Sequence, residues 1–277
     1  MEKSTKKPES KEYHVPALEK GLAILEYLVE TGGKNLNQIC KALGISRTTT
    51  FSTLKNFVET GYLQQKGDGS YYPTLKLFSM GMRVQKQEHI SELVLTNLYD
   101  LQAEAQHTVH FLTYVGHNSV LLNKLDGPGV VQFLSFVGEM KPLHLSGAGK
   151  AILAYIPQEK FDAYFFLALE SRTKNTISSR EGLTKCREQI RKLGYSIDDE
   201  EGEKGVFCIG APVFATDGCI FGAISVSMLK SVSIDGIFKR NVECVLRTAE
   251  KISRKLGYTG PYPKPDCSDN TDKDDKQ

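Results

Sequence analysis

Gly149-Lys150, inside LHLSGAGKAILAY (residues 143–155), is the pair on which a phosphate-gripping loop ends, so nucleotide binding is the first chemistry to test. The full loop needs a glycine five positions before Gly149, so that backbone amides can wrap the phosphates. It also needs a hydroxyl after Lys150 to hold magnesium. Those positions hold His144 and Ala151, which removes both functions. What remains is a glycine-bearing turn opening an apolar helix, whose first amides can hold one small anion. Lys150 is then expected on the helix surface.

Two other chemistries are open to this chain. Cys208 could be a nucleophile with His144 as its base, since a thiol needs a nearby imidazole to become thiolate. That would make the protein a cysteine-dependent small-molecule enzyme with an accessory nucleic-acid-binding domain. Cys208 lies in an apolar run, however, where a thiol is usually inert. A metal could use His107, His110, His144 or the acids of DDEEGE (residues 198–203). Those acids are consecutive and not at ligand spacing, so they read as a solvated charged face, and no metal or cofactor is expected. The six cysteines form no C-x-x-C pair, which argues against a disulfide scaffold and for a reducing compartment. No apolar run is long enough to cross a bilayer and the start lacks a hydrophobic signal, so a cytoplasmic location is expected.

The third chemistry is nucleic-acid binding. Residues 1–85 carry a net charge of +4 and the remainder −2, which points to an acidic partner at the amino end. There, PALEKGLAILEYLVETGG predicts a helix with Leu18, Leu22, Leu25 and Val29 facing a core. NLNQICKALGISRTTTFSTLKNFVETGYL predicts two helices about a glycine turn, capped by Asn37 and Ser46, with Ile39, Cys40, Leu43 and Ile45 inward. The second helix presents Arg47, Thr48, Thr49, Phe51, Ser52 and Lys55, groups that reach base edges and phosphates in a major groove. A hairpin about Gly67-Asp68-Gly69 follows, with Lys66 and Tyr71 placed to meet phosphate, which completes a winged helix.

Beyond Pro73, LKLFSMGMRVQKQ predicts a linker helix whose stripe of Leu75, Phe78 and Met82 could pair with a copy of itself. A helix at ISELVLTNLYDLQAEAQH, strands at TVHFLTYVG, SVLLNKL and VVQFLSFVG, and helices over 147–156, 158–169 and 180–193 come next. Strands GVFCIGAPVFA and CIFGAISVSML and a helix from about Gly236 to Leu256 close an α+β domain with an antiparallel sheet. If Asp217-Gly218 is a two-residue loop, Cys208 lies opposite Ser227 and Gly210 opposite Ser225. All four then share one face, with Gly210 leaving a space beside them.

Nearly the whole chain, from Val15 to about Tyr258, resembles the IclR family of transcriptional regulators. The resemblance is carried by ALEKGLAILEYL, ICKALGISRTTTFSTLKNFVETGYL, HLSGAGKAILA and, above all, GYSIDDEEGEKGVFCIGAPVFATDGCIFGAISVS. It implies a flexible tail over 1–14, a winged helix-turn-helix over 15–74 and a linker helix over 75–88. A GAF-like effector-binding domain over 89–259 and a disordered acidic tail over 260–277 complete the layout. It further implies a homodimer, or a tetramer built from dimers, that binds double-stranded DNA at a pseudo-palindromic operator and acts as a repressor or activator of a catabolic operon, repression being the expectation. Family members often carry Arg where this chain has Ser52, so the operator read here is expected to differ. The effector implied is a small organic acid, held by Gly147, Ala148, Asp198, Cys208, Ser225 and Ser227 between apolar walls of Val130, Phe133 and Val206.

Overall fold

The computed structural model describes residues 14–87, 90–128, 132–232 and 235–263. The chain divides into two compact units, Met1–Glu88 and His89–Gln277. The tail expected over 1–14 lies outside the described residues apart from His14.

In the first unit α1 (Pro16–Thr31) and β1 (Lys34–Asn35) precede the helix pair α2 (Leu36–Leu43) and α3 (Arg47–Glu59). Next come β2 (Leu63–Gln65), β3 (Ser70–Pro73) and α4 (Leu75–Gln87). The strands pair in the order β1-β3-β2, the wing of a winged helix. Asn35, not Asn37, caps α2, accepting from the Gln38 amide while the Gln38 side chain accepts from the Asn35 amide. Gly44 ends the helix in the left-handed conformation, and Ser46 caps α3 as expected. The core is Ile24, Leu28, Ile39, Leu54, Leu63 and Tyr71. The α1 stripe named from spacing is therefore corrected: Leu18, Leu22 and Val29 are exposed, and Leu25 is partly buried. Apolar residues occupy more than one side of α1, so periodicity alone could not choose which stripe to bury. On α4, Leu75, Phe78 and Met82 are exposed.

The second unit is built on an antiparallel sheet ordered β6-β5-β4-β9-β8-β7. In chain order the elements are α5 (Ile90–Ala105), β4 (Thr108–Val115), β5 (Asn118–Leu125), β6 (Met140–Pro142), α6 (Gly147–Tyr155), α7 (Gln158–Ala163), α8 (Arg180–Leu193), β7 (Ser196–Asp199), β8 (Val206–Phe214), β9 (Ile220–Leu229) and α9 (Asp235–Lys255). Alternation along the strands feeds two cores. Ile209, Ala211 and Val213 face α5 and α9, while Phe214, Ile220 and Ala223 join the cluster of α6, α7 and α8.

Three expectations change here. VVQFLSFVG is not a strand: residues 132–136 have no regular structure and β6 begins only at Met140, Val130 lying outside the described residues. The β8–β9 loop holds three residues, Thr216-Asp217-Gly218, because the Ala215 amide reaches the Cys219 carbonyl and Gly218 is left-handed at φ 73°. A bulge at Val213/Phe214 absorbs the extra residue, so Cys208 still faces Ser227 and Gly210 still faces Ser225. Finally, the domain does not end at 259. Tyr262 donates to the Pro212 carbonyl at 2.8 Å and its ring packs on Phe214, while residues 264–277 lie outside the described set.

Candidate functional site

The first unit presents a polar helix face. On α3, Arg47, Thr48, Phe51, Ser52 and Lys55 are exposed and Thr49 is half-buried. Arg47 donates to the Asn37 side chain, which sets its guanidinium across the α2–α3 turn. The Thr49 hydroxyl is engaged with Ser46 Oγ at 2.8 Å, and Ser52 Oγ donates to the Thr48 and Thr49 carbonyls. Arg47, Phe51 and Lys55 therefore extend furthest toward an outside partner. At the wing, Lys66 is exposed and its ammonium sits 4.0 Å from the centre of the Tyr72 ring. Tyr71 is the correction: it is 6% exposed and belongs to the core, so it cannot meet phosphate. Alternation along β3 turns Tyr71 inward and leaves Tyr72 beside Lys66.

The second unit holds a partly open cavity of about 160 Å³. That is room for a molecule of about six to ten non-hydrogen atoms. Phe133, Gly147, Ala148, Asp198, Val206, Cys208, Ser225 and Ser227 all line it, so every described residue named for the effector meets in one place. Gly210 does not leave a space there. A β-carbon on it would lie 2.7 Å from the Ala148 amide nitrogen and the Gly147 carbonyl carbon, so the missing side chain is what lets α6 seat on the sheet.

The polar floor is bonded in a chain. Cys208 Sγ lies 3.1 Å from Ser227 Oγ, which lies 3.4 Å from His110 Nδ1, and His110 Nε2 lies 3.1 Å from Ser135 Oγ. Burial holds the His110 pKa down to about 4, so the imidazole is neutral. Asp198 Oδ1 accepts from the amides of Glu201 and Gly202 at 2.8 and 3.3 Å. Neither Asp198 Oδ2 nor Ser225 Oγ has a hydrogen-bond partner among the described residues, although both side chains are buried and line the cavity. Burial raises the Asp198 pKa to about 6 against the opposing pull of Lys150.

Lys150 is not on the surface. It is 2% exposed and ion-paired with Glu201, itself buried, just behind Asp198. The acids of DDEEGE are accordingly not one solvated face: Asp198 and Glu201 turn inward. A buried ion pair cannot be read from a run of charges, because only the packing of α6 decides which acid follows the lysine inside. The sequence also missed His110, which β4 carries opposite Ser225 in the sheet, and Lys141 and Arg172 on the lining. The sequence marks His110 only as a candidate metal ligand in a strand-like run, with nothing to place it beside Ser225 and Ser227.

The nucleophile arrangement fails on geometry. His144 bonds the Tyr164 hydroxyl and the Glu170 carbonyl and does not line the cavity. The sulphur of Cys208 meets Ser227 instead, and burial drives its thiol pKa upward, away from thiolate.

Comparison with known proteins agrees. Residues 17–67 match the IclR helix-turn-helix domain, and residues 82–254 match the bacterial transcriptional regulator IclR C-terminal domain. The HTH-type transcriptional repressor AllR of Escherichia coli K12 is 31% identical over 244 residues, covering 87% of this chain and 90% of AllR. The HTH-type transcriptional regulator KdgR of the same organism is 27% identical over 255 residues, covering 91% and 95%. Among solved structures, the Thermotoga maritima IclR shares 29% identity with a TM-score of 0.67, covering 88% of this chain and all of that one. An IclR homologue from Microbacterium hydrocarbonoxydans, solved in complex with 4-hydroxybenzoate, shares the fold at a TM-score of 0.74 and 18% identity, covering 87% and 98%. With its winged helix, its antiparallel effector-type domain and relatives that are regulators rather than enzymes, the chain belongs to the IclR family and is a DNA-binding transcriptional regulator.

Proposed function

We propose that this protein is a cytoplasmic repressor of a catabolic operon, released from or tightened on its DNA by a small organic acid in the C-terminal cavity. The DNA is read by Arg47, Thr48, Thr49, Phe51, Ser52 and Lys55, with Lys66 on backbone phosphate. The acid is held by Gly147, Ala148, Asp198, Cys208, Ser225 and Ser227 against Phe133 and Val206. The observation that carries this reading is the pair of polar atoms, Asp198 Oδ2 and Ser225 Oγ, that belong to buried residues, line the cavity and have no partner among the described residues. Both atoms open onto the cavity, so their hydrogen-bonding capacity is available to a molecule that enters. Support also comes from the repressor role named for AllR and from the aromatic acid bound in the Microbacterium homologue.

A homodimer, or a dimer of dimers, fits the exposed apolar stripe of α4 and the need to read a pseudo-palindrome with two recognition helices. The test is a gel shift with the DNA flanking the protein's own gene, with and without small hydroxy and aromatic acids. Binding of a discrete site that weakens steeply with salt and changes with one of the acids supports the reading. Salt-independent binding with no discrete site overturns it.

A further inference from the structure

We propose that the cavity takes up a monocarboxylate together with one proton, which is held between the ligand's carboxylate and Asp198 Oδ2. This deepens the organic-acid reading and rests on it. Three acids, Glu139, Asp198 and Glu203, line the cavity against two cations, Lys141 and Arg172. Both cations are already held by neighbouring acids, Lys141 by Glu139 at 3.0 Å and Arg172 by Glu170 at 2.8 Å. Behind the floor, Lys150 and Glu201 neutralise one another. An entering anion therefore meets a lining that is net negative, with the Asp198 carboxyl inside the same small volume.

Two carboxylates confined that closely cannot both remain ionised, and one shared proton converts repulsion into a hydrogen bond. Asp198 is built for this. Its Oδ1 is fixed by two backbone amides, and its Oδ2 is left without a partner among the described residues. The groups facing Asp198 are Cys208 on β8, Glu201 and Glu203 on its own turn and Lys150 on α6, with Cys186 of α8 beside Lys150 and Glu201. Arg172 lines the cavity with it from the 170–176 segment, His110 from β4, Lys141 from β6 and Glu139 from just before β6. Burial keeps His110 neutral above pH 5.5 and both thiols protonated below pH 8, so none of these three supplies a proton step there. Asp198, with its carboxyl raised to about 6, does.

The sign follows. Below pH 6 the free protein already carries the proton and affinity is flat. Above it the proton must come from solvent, so affinity falls toward tenfold per pH unit.

The experiment is calorimetric titration of the full-length protein with lactate and 4-hydroxybenzoate between pH 5.5 and 8, in buffers of different ionisation heat. Uptake approaching one proton per acid at pH 7.5 is expected, with a carboxylic-acid carbonyl band appearing in the infrared difference spectrum on binding. Asp198→Asn, which keeps an oxygen for the two amides and an N–H in place of the proton, should bind with no proton uptake and a flat pH profile. Binding by the wild type without proton exchange overturns the proposal while leaving the organic-acid reading intact. So does a folded Asp198→Asn that loses binding at every pH, since Asp198 would then act as a carboxylate acceptor. If neither acid binds at any pH, the organic-acid reading falls and this proposal falls with it.

Discussion

The α3 face and the C-terminal cavity are built on opposite principles. The α3 face draws on one helix of 13 residues, with side chains standing in solvent. The cavity draws on residues from His110 to Ser227, brought together by six strands, a helix start and the irregular segments between them, and its floor of His110, Asp198, Cys208, Ser225 and Ser227 is buried. The lesson is about separability. A solvated side chain can be changed with little cost to folding, whereas Cys208, Ser227 and His110 on the cavity floor bond one another and cannot be removed singly without stranding a partner.

The strongest attempt to break this contrast is Lys150→Met. It strands Glu201 as an unpaired buried charge, and we expect a loss of about 3–5 kcal/mol of unfolding free energy, read by urea denaturation. Adding Glu201→Leu should restore most of it. A loss below about 1 kcal/mol would show that the pair is solvated and that the cavity resembles the α3 face more than the structure indicates.

A smaller but sharper comparison lies within the wing. Tyr71→Ala should cost about 3 kcal/mol of stability, because it empties part of the first unit's core, whereas Tyr71→Phe should leave DNA affinity unchanged. Lys66→Ala should do the reverse, leaving stability within about 0.5 kcal/mol and weakening DNA binding. Should Tyr71→Phe weaken DNA binding as much as Lys66→Ala, the inward placement of Tyr71 is wrong.

The smallest effect is expected at Lys55, whose exposed partner Glu59 lies 3.8 Å away and contributes little. Lys55→Ala should leave stability and acid binding unchanged and reduce the salt dependence of DNA binding by about one counterion. An unchanged salt slope would remove Lys55 from the DNA contacts.

The two hairpins show how far local reading reaches. Gly67-Asp68-Gly69 and Thr216-Asp217-Gly218 are the same turn. In each, the aspartate accepts from the amide two residues on at 2.9 Å, and the last glycine is left-handed, at φ 78° and 73°. The sequence marks the first as a hairpin without a loop length, and it supports the second only on the condition of a two-residue loop, which the structure does not meet. The cross-strand pairs of Cys208 and Gly210 nevertheless came out right, because a bulge 5 residues after Cys208 restores the register. That agreement is owed to a compensation the sequence does not announce.

Local chemistry determined the helix pair and its caps at Ser46 and Gly44, the apolar strands β8 and β9, and the alternation that puts Ser225 and Ser227 on one face of β9. These depend on backbone hydrogen bonds and on periodicities of 2.0 and 3.6 residues, which short segments carry in themselves. Tertiary structure alone decided that β4 inserts beside β9, which brings His110 to Ser227 across 117 positions. It also decided that Gly210 receives the start of α6, that Lys150 is drawn inside against Glu201, and that Leu18 and Leu22 stay outside while Ile24 and Leu28 are buried. Each of those outcomes turns on which surfaces exclude water together, and that is a property of the packed chain and not of any segment of it.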